Sequence, residues 1–237
     1  MTATSFDKIR TIVLRYPRHH EFCGRDEVIR KMHQILQPLN KRKICVLYGK
    51  GGSGKTQLAI EYTYRYEGLR KKIFWIDATD ETTVISSGRS ILEALVLQYA
   101  KDFSPSPPDY KKISIALDCL CGIDLRTGEI YRTFYKSAWK TVKRWLAHNQ
   151  DWLLIVVNND IPDSVDMQDK IIPLCDWGHI IVTTRRSELA GILGDSIAVD
   201  DLRPADGLRS GDEHPHTLII VEYMAIIYKS QGNYAKL

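Results

Sequence analysis

A chain of 237 residues with 44% hydrophobic and 26% charged residues has the composition of a globular protein, long enough for one α/β domain with its own core and little more. Its formal charge of +4 is scattered in short clusters, Arg15/Arg18, Lys41-Arg42-Lys43 and Arg70-Lys71-Lys72, with no basic stripe interleaved with aromatics, which argues against a nucleic-acid partner. The cysteines Cys23, Cys45, Cys119, Cys121 and Cys175 lack paired spacing, so neither zinc nor a disulfide framework is expected. No run approaches the roughly 18 apolar residues of a membrane span, and the first residues hold no signal-peptide stretch, so the expected compartment is the reducing cytoplasm.

In chain order, residues 1–21 read as a polar, irregular segment. From Asp26 to Gln37, Val28, Ile29, Met32, Ile35 and Leu36 recur at helical spacing and stop before Pro38, predicting a short amphipathic helix. Lys43 to Tyr48 is a buried strand, followed by a glycine-rich turn and a helix from Lys55 to about Tyr66. Ile73 to Asp77 is a second strand, leading to a helix with Val84, Ile91, Leu92, Leu95 and Tyr99 inward. The stretch from Phe103 to Thr133, rich in proline and without a period, reads as a loop or insertion. Ala138, Trp139, Val142, Trp145 and Leu146 mark a further helix, and Trp152–Val157 and His179–Thr184 are strands buried on both faces, with a short strand at Ser196–Val199 closing the sheet. Continuous apolar strands alternating with amphipathic helices predict a three-layer α/β fold on a mostly parallel sheet. Beyond Gly211, Leu218, Val221, Ala225 and Tyr228 share one face of a helical tail. Trp75, Trp139, Trp145 and Trp152 read as core, and His19, His20, His33, His148 and His179 as surface or capping groups.

The turn Gly49-Lys50-Gly51-Gly52-Ser53-Gly54-Lys55-Thr56 has the P-loop spacing G-x4-G-K-T between a strand and a helix. Its glycines let successive backbone N–H groups face inward at a helix N-terminus, a cradle for phosphate oxygens. Lys55 would reach the β- and γ-phosphates, the Thr56 hydroxyl would sit on Mg²⁺, and Gln57 would add a backbone N–H. A hydrolytic partner would be a carboxylate at the end of another buried strand. The strand 152–157 ends instead in Val157-Asn158-Asn159-Asp160, leaving Asp160 as a displaced candidate. At the end of the strand 179–184, the Arg185 guanidinium could sense a terminal phosphate through two parallel hydrogen bonds.

Taken in order, Phe22-Cys23-Gly24-Arg25, the P-loop, Phe74-Trp75-Ile76-Asp77, Asp151-Trp152-Leu153-Leu154-Ile155 and Ile181-Val182-Thr183-Thr184-Arg185 resemble the NB-ARC domains of NOD-like receptors, signal-transduction P-loop NTPases. The resemblance spans roughly residues 20 to 208 and is strongest to fungal proteins in which such a domain precedes tetratricopeptide repeats of kinesin-light-chain type. Residues 211–218 and 228–234 look like one such repeat, cut short. The resemblance implies an N-terminal segment 1–21, a nucleotide-binding domain 22–208 and a partial repeat 211–237. It implies a switch held closed by ADP and opened by ATP, with Phe22, Cys23 and Arg25 lining the adenine pocket and Arg185 at the γ-phosphate. The family's strand usually ends in Asp-Asn or Asp-Asp where this chain has Val157-Asn158. The helical and winged-helix subdomains that usually follow are replaced by repeat-like sequence.

The expected function is that of an ATP/ADP-binding switch module, weak or inactive as an ATPase, with Mg²⁺ loosely held. Its expected partners are an adenine nucleotide and, by self-association or docking, related NB-ARC or repeat proteins. The alternative is an interaction fragment acting through its repeat-like tail or by docking onto a full-length relative, with nucleotide structural or dispensable. A truncated product without a stable role, and a kinase, rank behind both; no Asn-Lys-x-Asp stretch points to guanine.

Overall fold

The computed structural model describes residues 12–13, 16–19, 22, 24–37, 41–103, 108–117, 122–160 and 171–200. The expected tail at 211–237 and Cys23, Cys119 and Cys121 lie outside the described residues. Strands β1 (Ile12–Val13), β2 (Lys43–Tyr48), β3 (Lys72–Asp77), β4 (Trp152–Val157), β5 (His179–Thr184) and β6 (Asp195–Ala198) form one sheet in the order β1-β3-β4-β5-β2-β6. Every neighbouring pair runs parallel. Parallel neighbours need crossover connections. The helices α1 (Asp26–Ile35), α2 (Lys55–Arg65), α3 (Glu81–Phe103), α4 (Tyr110–Ala116) and α5 (Tyr135–His148) lie in those intervals.

The apolar runs of the strands divide between two cores because successive side chains point to opposite faces. Ile44, Val46, Phe74, Ile76, Leu154, Val156, Ile180 and Val182 join α3, α4 and α5 on one face. Cys45, Leu47, Ile73, Trp75, Leu153, Ile155, Val157 and Ile181 join α1 and α2 on the other. The protein is therefore a three-layer α/β fold with a P-loop between its first long strand and the next helix. All six residues of β4 and of β5 are buried, which is why they read as continuous apolar runs without alternation.

Four expectations need correction. Within the irregular segment at 1–21, Ile12 and Val13 pair with Lys72 and Ile73 and form an edge strand. Two residues are too few to show a period. Within the expected loop at 103–133, Asp109 caps α4 by accepting from the Lys112 N–H at 3.0 Å, and Ile113 and Leu117 enter the core. Ile123 and Ile130 form an antiparallel bridge, and a 3-10 turn at Arg132–Phe134 leads straight into α5. His179 is fully buried, because it opens β5 between Lys43 of β2 and Leu153 of β4. The closing strand β6 ends at Ala198, one residue before the expected Val199. The four tryptophans read as core are buried.

Candidate functional site

The glycine-rich turn after β2, the C-terminal ends of β3, β4 and β5 and the first turns of α2 enclose one pocket. In an open parallel sheet, ligands bind outside the carboxyl ends of the strands, where the chain switches direction across the sheet. Here β2 is flanked by β5 and β6, while its own successor β3 lies beyond β4, so the pocket sits at that switch. Its lining includes Gly51, Gly52, Gly54, Lys55, Thr56 and Gln57 from the turn and α2. Asp77 from β3, Asn158 and Asp160 after β4, Arg185 after β5, and Tyr16 complete its polar lining.

The turn is held at both ends. The Gly49 N–H donates to the Thr184 carbonyl at 3.3 Å, and the Ser53 N–H to the Lys50 carbonyl at 3.3 Å. A Cβ on Gly49 would stand 2.3 Å from the Val199 carbonyl oxygen, so only glycine fits there. Gly54, at φ 86°, starts α2 without any side-chain cap. None of the backbone N–H groups of Gly52, Gly54, Lys55 and Thr56 meets an acceptor among the described residues. Together with the helix dipole they form an anion site. The Gln57 side-chain oxygen is also buried without a hydrogen-bond partner among the described residues, but as an acceptor it is no part of the anion site. The orphan N–H groups fit a bound polyphosphate.

Lys55, only 9% exposed, folds its ammonium onto the turn itself. Nζ donates to the carbonyls of Gly49 at 2.9 Å and Lys50 at 2.6 Å, with Ser53 Oγ at 3.4 Å. Burial lowers its pKa below the ordinary lysine value, the Asp160 carboxylate opposes that, and the Arg185 cation adds to it. A desolvated ammonium held by neutral carbonyls is a site tuned for an incoming anion.

Asn158, at φ 58°, turns the chain out of β4, a left-handed conformation that asparagine tolerates better than most residues. Its N–H donates to Thr183 Oγ1 at 3.2 Å and its Nδ2 to Asp77 Oδ1 at 3.4 Å. Asp160 is drawn to β5. Its Oδ1 accepts from the Arg185 N–H at 2.6 Å, and its Oδ2 lies 3.3 Å from Arg185 Nε. The Thr184 hydroxyl, 2.7 Å from the Asn159 carbonyl and 3.1 Å from Asp160 Oδ1, shares its proton between them. Arg185 lies across the turn, since a Cβ on Gly51 would come within 3.5 Å of its guanidinium.

The pocket brings Gly51, Gly52, Gly54, Lys55, Thr56, Gln57, Asp160 and Arg185 together. Gly49, Lys50 and Ser53 belong to the same turn as partners of Lys55. Phe22 and Arg25 stand outside the lining. Phe22 lies beneath the Arg65 guanidinium, 5.7 Å from it, and Arg25 Nη2 donates to the Asp200 carbonyl at 2.6 Å. Cys23 lies outside the described residues.

Two titratable lining residues, Tyr16 and Asp77, are absent from the candidates expected from sequence. Tyr16 packs edge-on against Trp75 with ring centroids 4.5 Å apart, and burial, helped by the Asp77 charge, pushes its phenol up to about 12. The signal for Asp77 was local: an acidic residue closing an apolar strand. What hid it was the strand order, which no local pattern reveals. Among the described residues no group of three His, Cys, Asp or Glu side chains could hold a metal by itself. No described helix is long and apolar enough to cross a membrane.

No protein-family model matches the chain, and no curated protein matches it. Among solved structures it is similar to a signal-transduction ATPase with numerous domains (STAND) carrying a tetratricopeptide repeat sensor, from Pyrococcus horikoshii. That likeness has 19% identity and a TM-score of 0.45, and covers 90% of this chain and 28% of that one. It is also similar to Cdc6p from Pyrobaculum aerophilum, with 13% identity and a TM-score of 0.44, over 92% of this chain and 53% of that one. The chain therefore spans about a quarter of the first protein's length and about half of the second's.

Proposed function

We propose that the chain binds an adenine nucleotide through the P-loop and works as a nucleotide-dependent switch of the NB-ARC kind, with little hydrolysis. The observation that carries the reading is the uncapped N-terminus of α2 with unclaimed N–H groups around a buried Lys55. Gly49 to Thr56 would hold the phosphates and Thr56 would offer its hydroxyl to Mg²⁺, which supplies charge neutralisation when bound. Arg185, in reach of Gly51, would meet the terminal phosphate. Adenine is favoured by the resemblance of residues 20 to 208 to NB-ARC domains, in which Phe22, Cys23 and Arg25 would face the base. Slow hydrolysis is expected because β4 ends in Val157-Asn158, and Asp160 is occupied with Thr184 and Arg185.

Calorimetric titration with ADP and ATP, with and without Mg²⁺, tests the reading. We predict that Lys55→Ala weakens binding by about tenfold to 150-fold, equivalent to about 1.5–3 kcal/mol for a lost charge-assisted contact. Equal affinity in wild type and variant, or no binding by the folded wild type, overturns it.

A further inference from the structure

The carboxylate missing from the end of β4 has a counterpart one strand away. In the parallel register Asp77 of β3 stands level with Val157 of β4. The two positions are thus one strand spacing apart, about 4.8 Å. Both residues line the pocket that holds Lys55 and Thr56.

Asp77 is a half-buried carboxylate whose two oxygens differ. Oδ1 accepts from the Thr79 N–H at 3.0 Å, from the Thr79 hydroxyl at 2.5 Å and from Asn158 Nδ2 at 3.4 Å. Oδ2 has no hydrogen-bond partner among the described residues. Three donors on one oxygen fix the side chain and leave the other as an acceptor. The pocket's other carboxylate, Asp160, has both oxygens engaged with the end of β5. Tyr16, partly buried and close enough to Asp77 to feel its charge, stays protonated and walls this end of the pocket.

We propose that Asp77 Oδ2 is the acceptor that orients the attacking water for the slow nucleoside triphosphate hydrolysis expected above, from one strand away from the residue absent at 157. The inference rests on the nucleotide reading above. The water oxygen forms a bond to the terminal phosphorus while the bond from that phosphorus to the bridging oxygen breaks. The bridging oxygen keeps the electron pair, the water proton passes to Asp77 Oδ2 and then to solvent, and nothing is oxidised or reduced. Thr79 and Asn158 act as positioning residues, through their hydrogen bonds to the carboxylate that would hold the water.

The test compares wild type, Asp77→Asn and Thr79→Val in two measurements: ADP affinity with Mg²⁺ in the presence and absence of aluminium fluoride, and single-turnover phosphate release from ATP. Aluminium fluoride with ADP imitates the transferring phosphoryl group in line with water, so a site that orients the water binds it more tightly. Wild type is expected to gain at least about 100-fold in ADP affinity on adding fluoride. Asp77→Asn should bind ADP as wild type does, lose most of that gain and release phosphate about 10²- to 10⁴-fold more slowly. Thr79→Val should fall between.

Full fluoride tightening in Asp77→Asn overturns the inference and leaves the nucleotide reading standing, as does the absence of tightening in wild type. Failure of wild type to bind ADP removes both. If Asp77→Asn does not unfold cooperatively, Thr79→Val decides: reduced tightening with wild-type ADP affinity supports the role of Asp77, and unchanged tightening overturns it.

Discussion

Asp160 ties the ends of two strands with one side chain, and its contacts differ in strength. The Arg185 guanidinium it faces is 70% exposed, so that ion pair works in high dielectric and contributes little. The hydrogen bond from the Thr184 hydroxyl is part-buried and that from the Arg185 N–H is exposed, and both need only an acceptor. We therefore predict that Asp160→Asn, which keeps an oxygen for them, costs less than about 1 kcal/mol. Asp160→Ala, which takes the acceptor from the Arg185 N–H while the Thr184 hydroxyl keeps the Asn159 carbonyl, should cost about 1–1.5 kcal/mol. Urea unfolding of the two variants measures the difference, and equal losses would show that charge rather than hydrogen bonding matters at this position.

At the scale of elements, α2 is fastened to the N-terminal segment and to α1 through Glu61, whose side chain is 2% exposed. It accepts from Arg18 Nε and Nη2, both at 2.8 Å, and from Arg65 Nε at 2.7 Å, while Arg65 also pairs with Asp26 of α1. Burial by itself would raise the carboxyl's pKa, but the two guanidiniums outweigh it and hold the group below the ordinary glutamate value of 4.5. A folded-state pKa below the unfolded one favours the native state above 4.5, and the gain disappears as pH falls through the native value. Breaking a buried pair costs about 3–5 kcal/mol. Because Arg18 and Arg65 are partly solvated, we expect Glu61→Gln to cost about 2 kcal/mol at pH 7. The cost should shrink toward zero on acidification below pH 4.5 and through the lowered native pKa, as read by denaturant midpoints. A loss independent of pH would mean that shape, not charge, is what Glu61 supplies.

The same scale shows what was legible beforehand. The strands β2, β4 and β5 could be bounded to the residue, because burial on both faces leaves an uninterrupted apolar run that turn residues delimit. The turn from Gly49 to Thr56 could be read directly, since its spacing is dictated by backbone geometry. Short elements escaped: β1 has two residues, and α4 has seven behind a proline-rich stretch. His179 escaped because a polar residue opening a strand looks like an end cap until the neighbouring strands enclose it. Asp77 and Tyr16 escaped because their place in the pocket depends on β3 lying beside β4 and on β1 lying beside β3.

Across the whole molecule, the pocket draws on three strand ends, the turn after β2 and α2, so it exists only in the folded chain. Anything bound there is linked to global unfolding. At a ligand concentration of 100 times its dissociation constant, stabilisation is about 2.7 kcal/mol. For a domain of this size that corresponds to a rise in Tm of roughly 5–10 °C. We predict a shift of that size with Mg²⁺ and ADP, and a smaller one for Lys55→Ala at the same concentration. Scanning calorimetry reads both, and equal shifts would place the ligand away from the P-loop.

The close contact between Gly49 and Val199 has a mechanical side. The Val199 N–H donates to the Tyr48 carbonyl at 2.7 Å, its own carbonyl presses on Gly49, and Arg25 grips the carbonyl of Asp200. The chain thus leaves β6 against the first glycine of the phosphate cradle. A pull or twist on Asp200 would therefore reach the phosphate cradle through these three contacts.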